Sequence, residues 1–312
     1  MKRFIISAIV ILIGVFALDR IGGQMMWWVN QHSHDATAPK IKYIVEGAKE
    51  DVVLMGTSRC QGHYVSSIIA DSLGMSVYNG GIDASENIFS HYIVFSHLLA
   101  NHTPKVICLD VRRNDLFAET DPYTSISFFA PYFGQNKQAD SVYYTAGTAR
   151  QYLASHLYRY NSKAASNILG LVYNKQTAKG EDHGYIPILK PLNPIEITEE
   201  ITVPANNEID ENKLDYLQRL IDHCKERNIM LVLVVSPSPS HVDDNYYAGI
   251  RQLAVKYGIP FMDYHTPGLF LDRPELFKDR GHLWDEGARL FSMMFAEDLK
   301  RMVDHTLSYN RD

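Results

Sequence analysis

Cysteine is scarce in this 312-residue chain: Cys60, Cys108 and Cys224 are odd in number and far apart, which excludes a disulfide framework and the paired spacing of a zinc site. No block of lysine or arginine occurs and the formal net charge is −6, so the basic footprint that nucleic acid requires is missing. Glycine-rich nucleotide-binding motifs, internal repeats and low-complexity tracts are also lacking, and no second cluster of histidines and carboxylates suggests a metal. Neither cofactor nor metal is expected. What the chain does have is apolar residues, 46% of the total, enough for the core of one large α/β domain.

One apolar run stands apart. Lys2 and Arg3 precede FIISAIVILIGVFAL, fifteen uncharged residues closed by Asp19 and Arg20. A comfortable membrane span takes about 20 residues, so residues 1–30 read either as a cleaved signal peptide or as an uncleaved signal-anchor. The nearby Val15-Phe16-Ala17 is a poor cleavage site, and Trp27 with Trp28 suits an aromatic belt at an outer interface. Inner-membrane anchoring is therefore preferred to secretion after cleavage. Positive charge retained in the cytoplasm places the chain from about residue 30 onward in the periplasm or extracytoplasmic space.

Downstream, short apolar runs alternate with amphipathic segments, the signature of a parallel sheet. Strands are expected at 52–55, 75–78, 105–110, 229–235 and 260–263, each a continuous apolar run and hence buried on both faces. The clearest helix spans 211–227, with Leu214, Leu217, Leu220, Ile221 and Cys224 on one stripe, Lys225 and Arg227 in the last turn and Asn228 suited to the cap.

In open parallel sheets ligands bind beyond the carboxyl ends of the strands. Those tips carry Gly56-Thr57-Ser58-Arg59, then Asn79-Gly80-Gly81-Ile82-Asp83-Ala84, then Arg112-Arg113-Asn114-Asp115 and Ser236-Pro237-Ser238, while KDRGHLWDEGARLF at 278–291 opens the last helix with Asp279 three residues before His282. Singly, each has a plain structural use. Thr57 or Ser58 can cap a helix, and Asp279 or Asn114 can serve a turn. Together they meet the needs of acyl transfer: Ser58 as nucleophile, His282 as base, Asp279 to orient the imidazole, and donors for the oxyanion from the Ser58 N–H, the loop after the second strand and the Asn114 carboxamide.

The order Gly-x-Ser after the first strand, Asn-Asp after the third and Asp-x-x-His-Leu at the last helix resembles the SGNH, or GDSL-like, hydrolase superfamily over about residues 50–300. The resemblance implies a flavodoxin-like three-layer α/β sandwich with five parallel strands, occupying residues 45–312 after the membrane segment. It implies Ser58, His282 and Asp279 as catalytic residues, and Asn114, Ala84 and Ser58 as the oxyanion hole. Gly-Thr-Ser-Arg in place of Gly-Asp-Ser looks like membrane-anchored, cell-envelope members, and Ala84 stands where the pattern has glycine. Arg59 and Gly81 are candidate substrate contacts, with Arg59 equally suited to an ion pair with Asp83 or Asp110.

The activity so implied is that of a serine esterase or O-acyltransferase acting on acyl groups of an envelope glycan or polysaccharide, beside a membrane-bound O-acyltransferase partner. A catalytically inactive module that binds glycan or such a partner is the alternative, and anion binding by the Gly56–Arg59 turn is a third. Residues 116–205 lie outside the sheet pattern and are expected as an insertion, a lid or interaction region, with two helices and a proline-interrupted extended end. Its tyrosines suit either a sugar-stacking surface or packed core, and His183 reads as a loop residue.

Overall fold

A computed structural model describes all residues except 36, 173–181, 192–199, 202–207, 240, 243–244, 266–269, 272 and 310–312. The strands of its main sheet are β1 (Val52–Met55), β2 (Val77–Asn79), β3 (Val106–Asp110), β4 (Met230–Val235) and β5 (Phe261–Asp263). All pair in parallel, in the order β2-β1-β3-β4-β5, the doubly wound arrangement expected. The second strand starts two residues later than the apolar run and takes in Asn79, which pairs with Leu54. The helices in chain order are α1 (Lys2–His32), α2 (Ala38–Glu46), α3 (Ser58–His63), α4 (Ser66–Leu73), α5 (Ile88–Asn101), α6 (Lys137–Thr145), α7 (Ala149–Ala154), α8 (Ala164–Val172), α9 (Glu211–Glu226), α10 (Ala248–Tyr257) and α11 (Asp285–Tyr309).

Alternation along each strand divides the apolar side chains between two cores. Val53, Met55, Ile107, Leu109, Leu231, Leu233 and Val235 face the layer of α2, α5, α9 and α10. Val52, Leu54, Val106, Cys108, Val232, Val234 and Met262 face α3, α4 and α11. Both faces are covered, which is why the strands read as unbroken apolar runs.

The longest amphipathic pattern becomes α9. The Asp210 carboxylate caps it, accepting from Asn212 N at 2.9 Å and Lys213 N at 3.1 Å. Arg227 is the capping residue at its other end, and Asn228, one position further, turns the chain with φ 55°. That left-handed angle is one asparagine tolerates.

The membrane-type helix is longer than its fifteen-residue apolar run. α1 covers 31 residues and is long and apolar enough to cross a membrane, its apolar window uncovered by the rest of the protein. Asp19 and Arg20 do not end it, because the insertion answers their charges. The Asp19 carboxylate accepts from the Ser155 hydroxyl, from His156 N at 2.8 Å and from Leu157 N at 3.3 Å. Arg20 donates to Asp19 at 3.2 Å and to the Leu153 and Ala154 carbonyls at 3.3 and 3.4 Å. Only Trp28 remains exposed, stacked on His32; Trp27 packs edge-on against Tyr132 at 5.3 Å, so the tryptophans do not form a common belt.

The insertion contains α6, α7 and α8, three helices where two were expected, with 3-10 turns at Ser125–Tyr132 and Leu157–Tyr160. Gly147, at φ 72°, separates the first two. Tyr132, Tyr143, Tyr152 and Tyr160 are buried core residues, while Tyr144 and Tyr158 are exposed. Of the extended end at 185–200, residues 192–199 lie outside the described residues; its last residue opens a two-residue strand, Glu200–Ile201. His183 is a loop residue at φ 45°, whose carbonyl accepts from Asn79 N at 2.8 Å.

Candidate active site

The site grows from the end of β1. Gly56 makes the turn with φ 153°; a Cβ there would lie 2.7 Å from that of Cys60 and 3.1 Å from that of Asp110, so only glycine fits between strand and helix. Thr57 caps α3 by accepting from Arg59 N at 3.4 Å, which leaves Ser58 at the first helical position. Sequence alone left open which hydroxyl caps; it is Thr57, and the Ser58 hydroxyl is engaged elsewhere. Ser58 Oγ lies 2.8 Å from His282 Nε2, across 224 positions of chain.

His282 is held from both sides. Its Nδ1 is 2.9 Å from Asp279 Oδ1, which also accepts from Gly281 N at 2.8 Å and His282 N at 3.1 Å. Asp279 thus performs the turn role and the imidazole-orienting role together. An acceptor at Nδ1 fixes the tautomer with the proton there, leaving Nε2 free to take the proton of Ser58. Asp279 is 53% and His282 29% exposed, so the group stands at an open surface.

Behind His282 sits His63, the last residue of α3. Its Nε2 accepts from Leu283 N at 3.0 Å, and burial, assisted by Arg59 and His282, pushes its pKa well below the ordinary value. The ring is therefore neutral. With Nε2 as acceptor its proton is on Nδ1, which is buried without a hydrogen-bond partner. Sequence reasoning passed over this residue, which ties the two halves of the site at their backs.

The loop after β2 is laced to the turn that precedes Ser58, with Ile82 N and Ser85 Oγ both donating to the Gly56 carbonyl at 3.0 and 3.3 Å. This holds the loop that contains Ala84 against the Gly56 turn. Ala84 adopts φ 61°, the left-handed region that favours glycine, so the alanine at this position carries backbone strain. Gly81 is no open contact: its N–H donates to Asn79 Oδ1 at 3.0 Å, and a Cβ there would collide with Gln61 N. Fully buried Asn79 also donates to the carbonyls of Cys60 at 2.7 Å and Tyr64 at 2.9 Å, clamping α3 to the loop.

Asn114 is exposed in the 3-10 turn Arg113–Asp115, beyond the end of β3, the strand beside β1. Lys213 pins this turn from α9. Its ammonium donates to the Asn114 carbonyl at 2.6 Å, the Phe117 carbonyl at 2.9 Å and Glu119 Oε1 at 2.6 Å. On the other side His91 Nε2, from α5, lies 3.0 Å from Asp115 Oδ1 of the same turn, both buried and without hydrogen-bond geometry between them.

Arg59 turns inward. Its Nε donates to Ser236 Oγ at 3.2 Å and its Nη2 to the Ser236 carbonyl; Ser236 Oγ in turn donates to Asp110 Oδ2 at 2.8 Å. Burial works against its charge, but Tyr247 and Asp110 more than offset that and hold its pKa above the ordinary value. The geometry gives Arg59 an inward structural role, bridged to Asp110 through Ser236, while Asp83 is exposed. Among the described residues no group of three or more histidine, cysteine or acidic side chains could hold a metal.

No protein-family model and no curated protein sequence matches the chain. Solved structures that resemble it include a protein assigned to the lipolytic G-D-S-L family from Desulfitobacterium hafniense (11% identical, covering 79% of this chain and 97% of that one, TM-score 0.41). A protein assigned as an acylhydrolase from Bacteroides fragilis is 14% identical over 83% of this chain and 94% of that one, TM-score 0.40. A GDSL-like lipase from Bacteroides thetaiotaomicron is 13% identical over 80% and 88%, TM-score 0.37.

Proposed function

We propose that the chain is a membrane-anchored serine esterase or O-acyltransferase. Ser58 attacks an ester carbonyl while His282 takes its proton. Asp279 stabilises the imidazolium, and the N–H groups of Ser58 and Ala84 with the Asn114 carboxamide receive the oxyanion. His282 returns that proton to the departing alcohol as the acyl-enzyme forms, and water or a sugar hydroxyl, deprotonated in turn by His282, then resolves it. The observation that carries this is the continuous relay from Ser58 Oγ through His282 to Asp279, at 2.8 and 2.9 Å, between strand ends far apart in sequence.

The open relay supports a bulky acceptor such as an envelope glycan, and the N-terminal helix supports a location on the outer face of the inner membrane. A membrane-bound O-acyltransferase as the supplier of acyl groups rests on the motif resemblance alone. Treatment of the folded chain with a fluorophosphonate probe tests the chemistry: Ser58 becomes covalently modified and the Ser58→Ala variant does not. Absence of labelling together with no turnover of acetyl esters would leave the binding-module reading.

A further inference from the structure

The junction between α1 and the insertion carries three independent features that the proposed chemistry does not use. Leu153 (53%), Leu157 (42%) and Tyr158 (46%) are exposed on α7 and the following 3-10 turn, the segment whose backbone seats Asp19 and Arg20. Leu157 packs directly on Gly22 of α1. Beyond Arg20, α1 keeps an exposed apolar stripe of Ile21, Met25 and Trp28, spaced four and three apart on the side away from buried Gly23 and Asn30. Finally, residues 141–172 contain Arg150, Arg159 and Lys163 and no acidic residue, in a chain whose net charge is −6.

Lengths join these features. Fifteen apolar residues of helix reach about 22 Å, short of the roughly 30 Å of hydrocarbon in a bilayer. With Asp19 satisfied by the insertion and the outer stripe running on to Trp28, the apolar surface of α1 extends past the charged pair. The insertion segment beside Asp19 then lies at the same depth as the end of the apolar run.

We propose that Leu153, Leu157 and Tyr158 sit in the headgroup–acyl boundary of an anionic bilayer beside α1, with Arg150 toward the lipid phosphates. The domain is thereby seated on the membrane instead of hanging from a tether. Apolar side chains flanked by basic ones are the composition of an interfacial lipid contact; the neighbouring Asp19 carboxylate is already answered by Arg20 and the segment's own donors, and continuity with α1 selects lipid as the occupant. The proposal rests on reading α1 as an uncleaved anchor.

The test uses the full chain reconstituted in phosphatidylcholine–phosphatidylglycerol bilayers, with nitroxide labels at Leu153→Cys, Tyr158→Cys, Val255→Cys and Ile9→Cys; the native cysteines are buried. Oxygen and nickel-chelate accessibilities should place the labels at 153 and 158 about 5–10 Å into the boundary, the label at 255 in water and the label at 9 in hydrocarbon. Labels at 153 and 158 as nickel-accessible as that at 255, with position 9 in hydrocarbon, overturn the proposal while sparing the anchor. An aqueous label at position 9 removes the anchor and the proposal with it. Low access to both reagents at 153 and 158 shows cover by protein, a second copy or another chain, and also overturns it. Exchange of phosphatidylglycerol for phosphatidylcholine should shift the 153 and 158 labels outward; unchanged depth refutes the role of anionic headgroups.

Discussion

Lys213 offers the sharpest test of how the site is held. Its ammonium is fully buried, and replacing it by Met removes three hydrogen bonds at once. Glu119, 22% exposed and otherwise bonded to Asn87 Nδ2 at 2.6 Å, would lose its counter-charge. Breaking a buried pair by deleting one partner costs about 3–5 kcal/mol, so Lys213→Met should lower the unfolding free energy by about that much. The Asn114 turn also loses its tether, and an oxyanion donor is worth about 10²–10³ in kcat. Esterase kcat should therefore fall by up to about 10²-fold with little change in KM. Adding Glu119→Gln removes the uncompensated carboxylate and should recover part of the stability, but not kcat, since the carbonyls of Asn114 and Phe117 remain unpinned. Urea unfolding of the detergent-solubilised protein and initial rates on an activated acetyl ester read the two effects. A stability loss below about 1 kcal/mol, outside the range for a buried pair, refutes the energetic reasoning; a normal kcat in folded Lys213→Met refutes the positioning role.

Asn114→Ala should lower kcat by about 10²–10³, and unchanged kinetics would remove that residue from the site. Ala84→Gly should raise stability by about 0.5–1 kcal/mol, because relief of the left-handed angle exceeds the extra chain entropy; a lower denaturation midpoint contradicts this. Replacing His63 by Leu removes the acceptor for Leu283 N and should reduce kcat in protein that still folds, whereas His63→Gln should retain part of the activity. Burial pushes the His97 pKa down from 6.5 to about 4. The unfolded chain therefore takes up a proton that the folded one refuses, and stability present above about pH 6.5 is lost as the pH falls toward 4, by up to roughly 3 kcal/mol. Denaturation midpoints between pH 7 and 5 should fall in the native chain and fall less in His97→Gln.

The sheet was legible because burial on both faces leaves no alternation to confuse with a surface strand. The strand tips followed from it, and Ser58, Asp279 and His282 are indeed adjacent. What supports them was not so plain. Lys213 occupies the stripe of Leu217, Leu220 and Cys224 on α9, so a charge in an apolar register was the available signal for a buried ammonium. His63 and Asn79 gave no such signal, since their partners are backbone groups that only the fold brings near. The angle at Ala84 was signalled only by the glycine that the resembled pattern has at that position; the Asn-Gly-Gly-Ile-Asp-Ala string itself does not show it.

Ser58 and His282 are 224 residues apart in the chain. At a synthesis rate of about 5–20 residues per second, the base emerges roughly 10–45 s after the nucleophile. Until then the serine is an ordinary alcohol at the mouth of an unfinished sheet. On the proposed function, an arrested or truncated polypeptide therefore lacks its base, and ester cleavage or transfer would be acquired only with docking of the final helix.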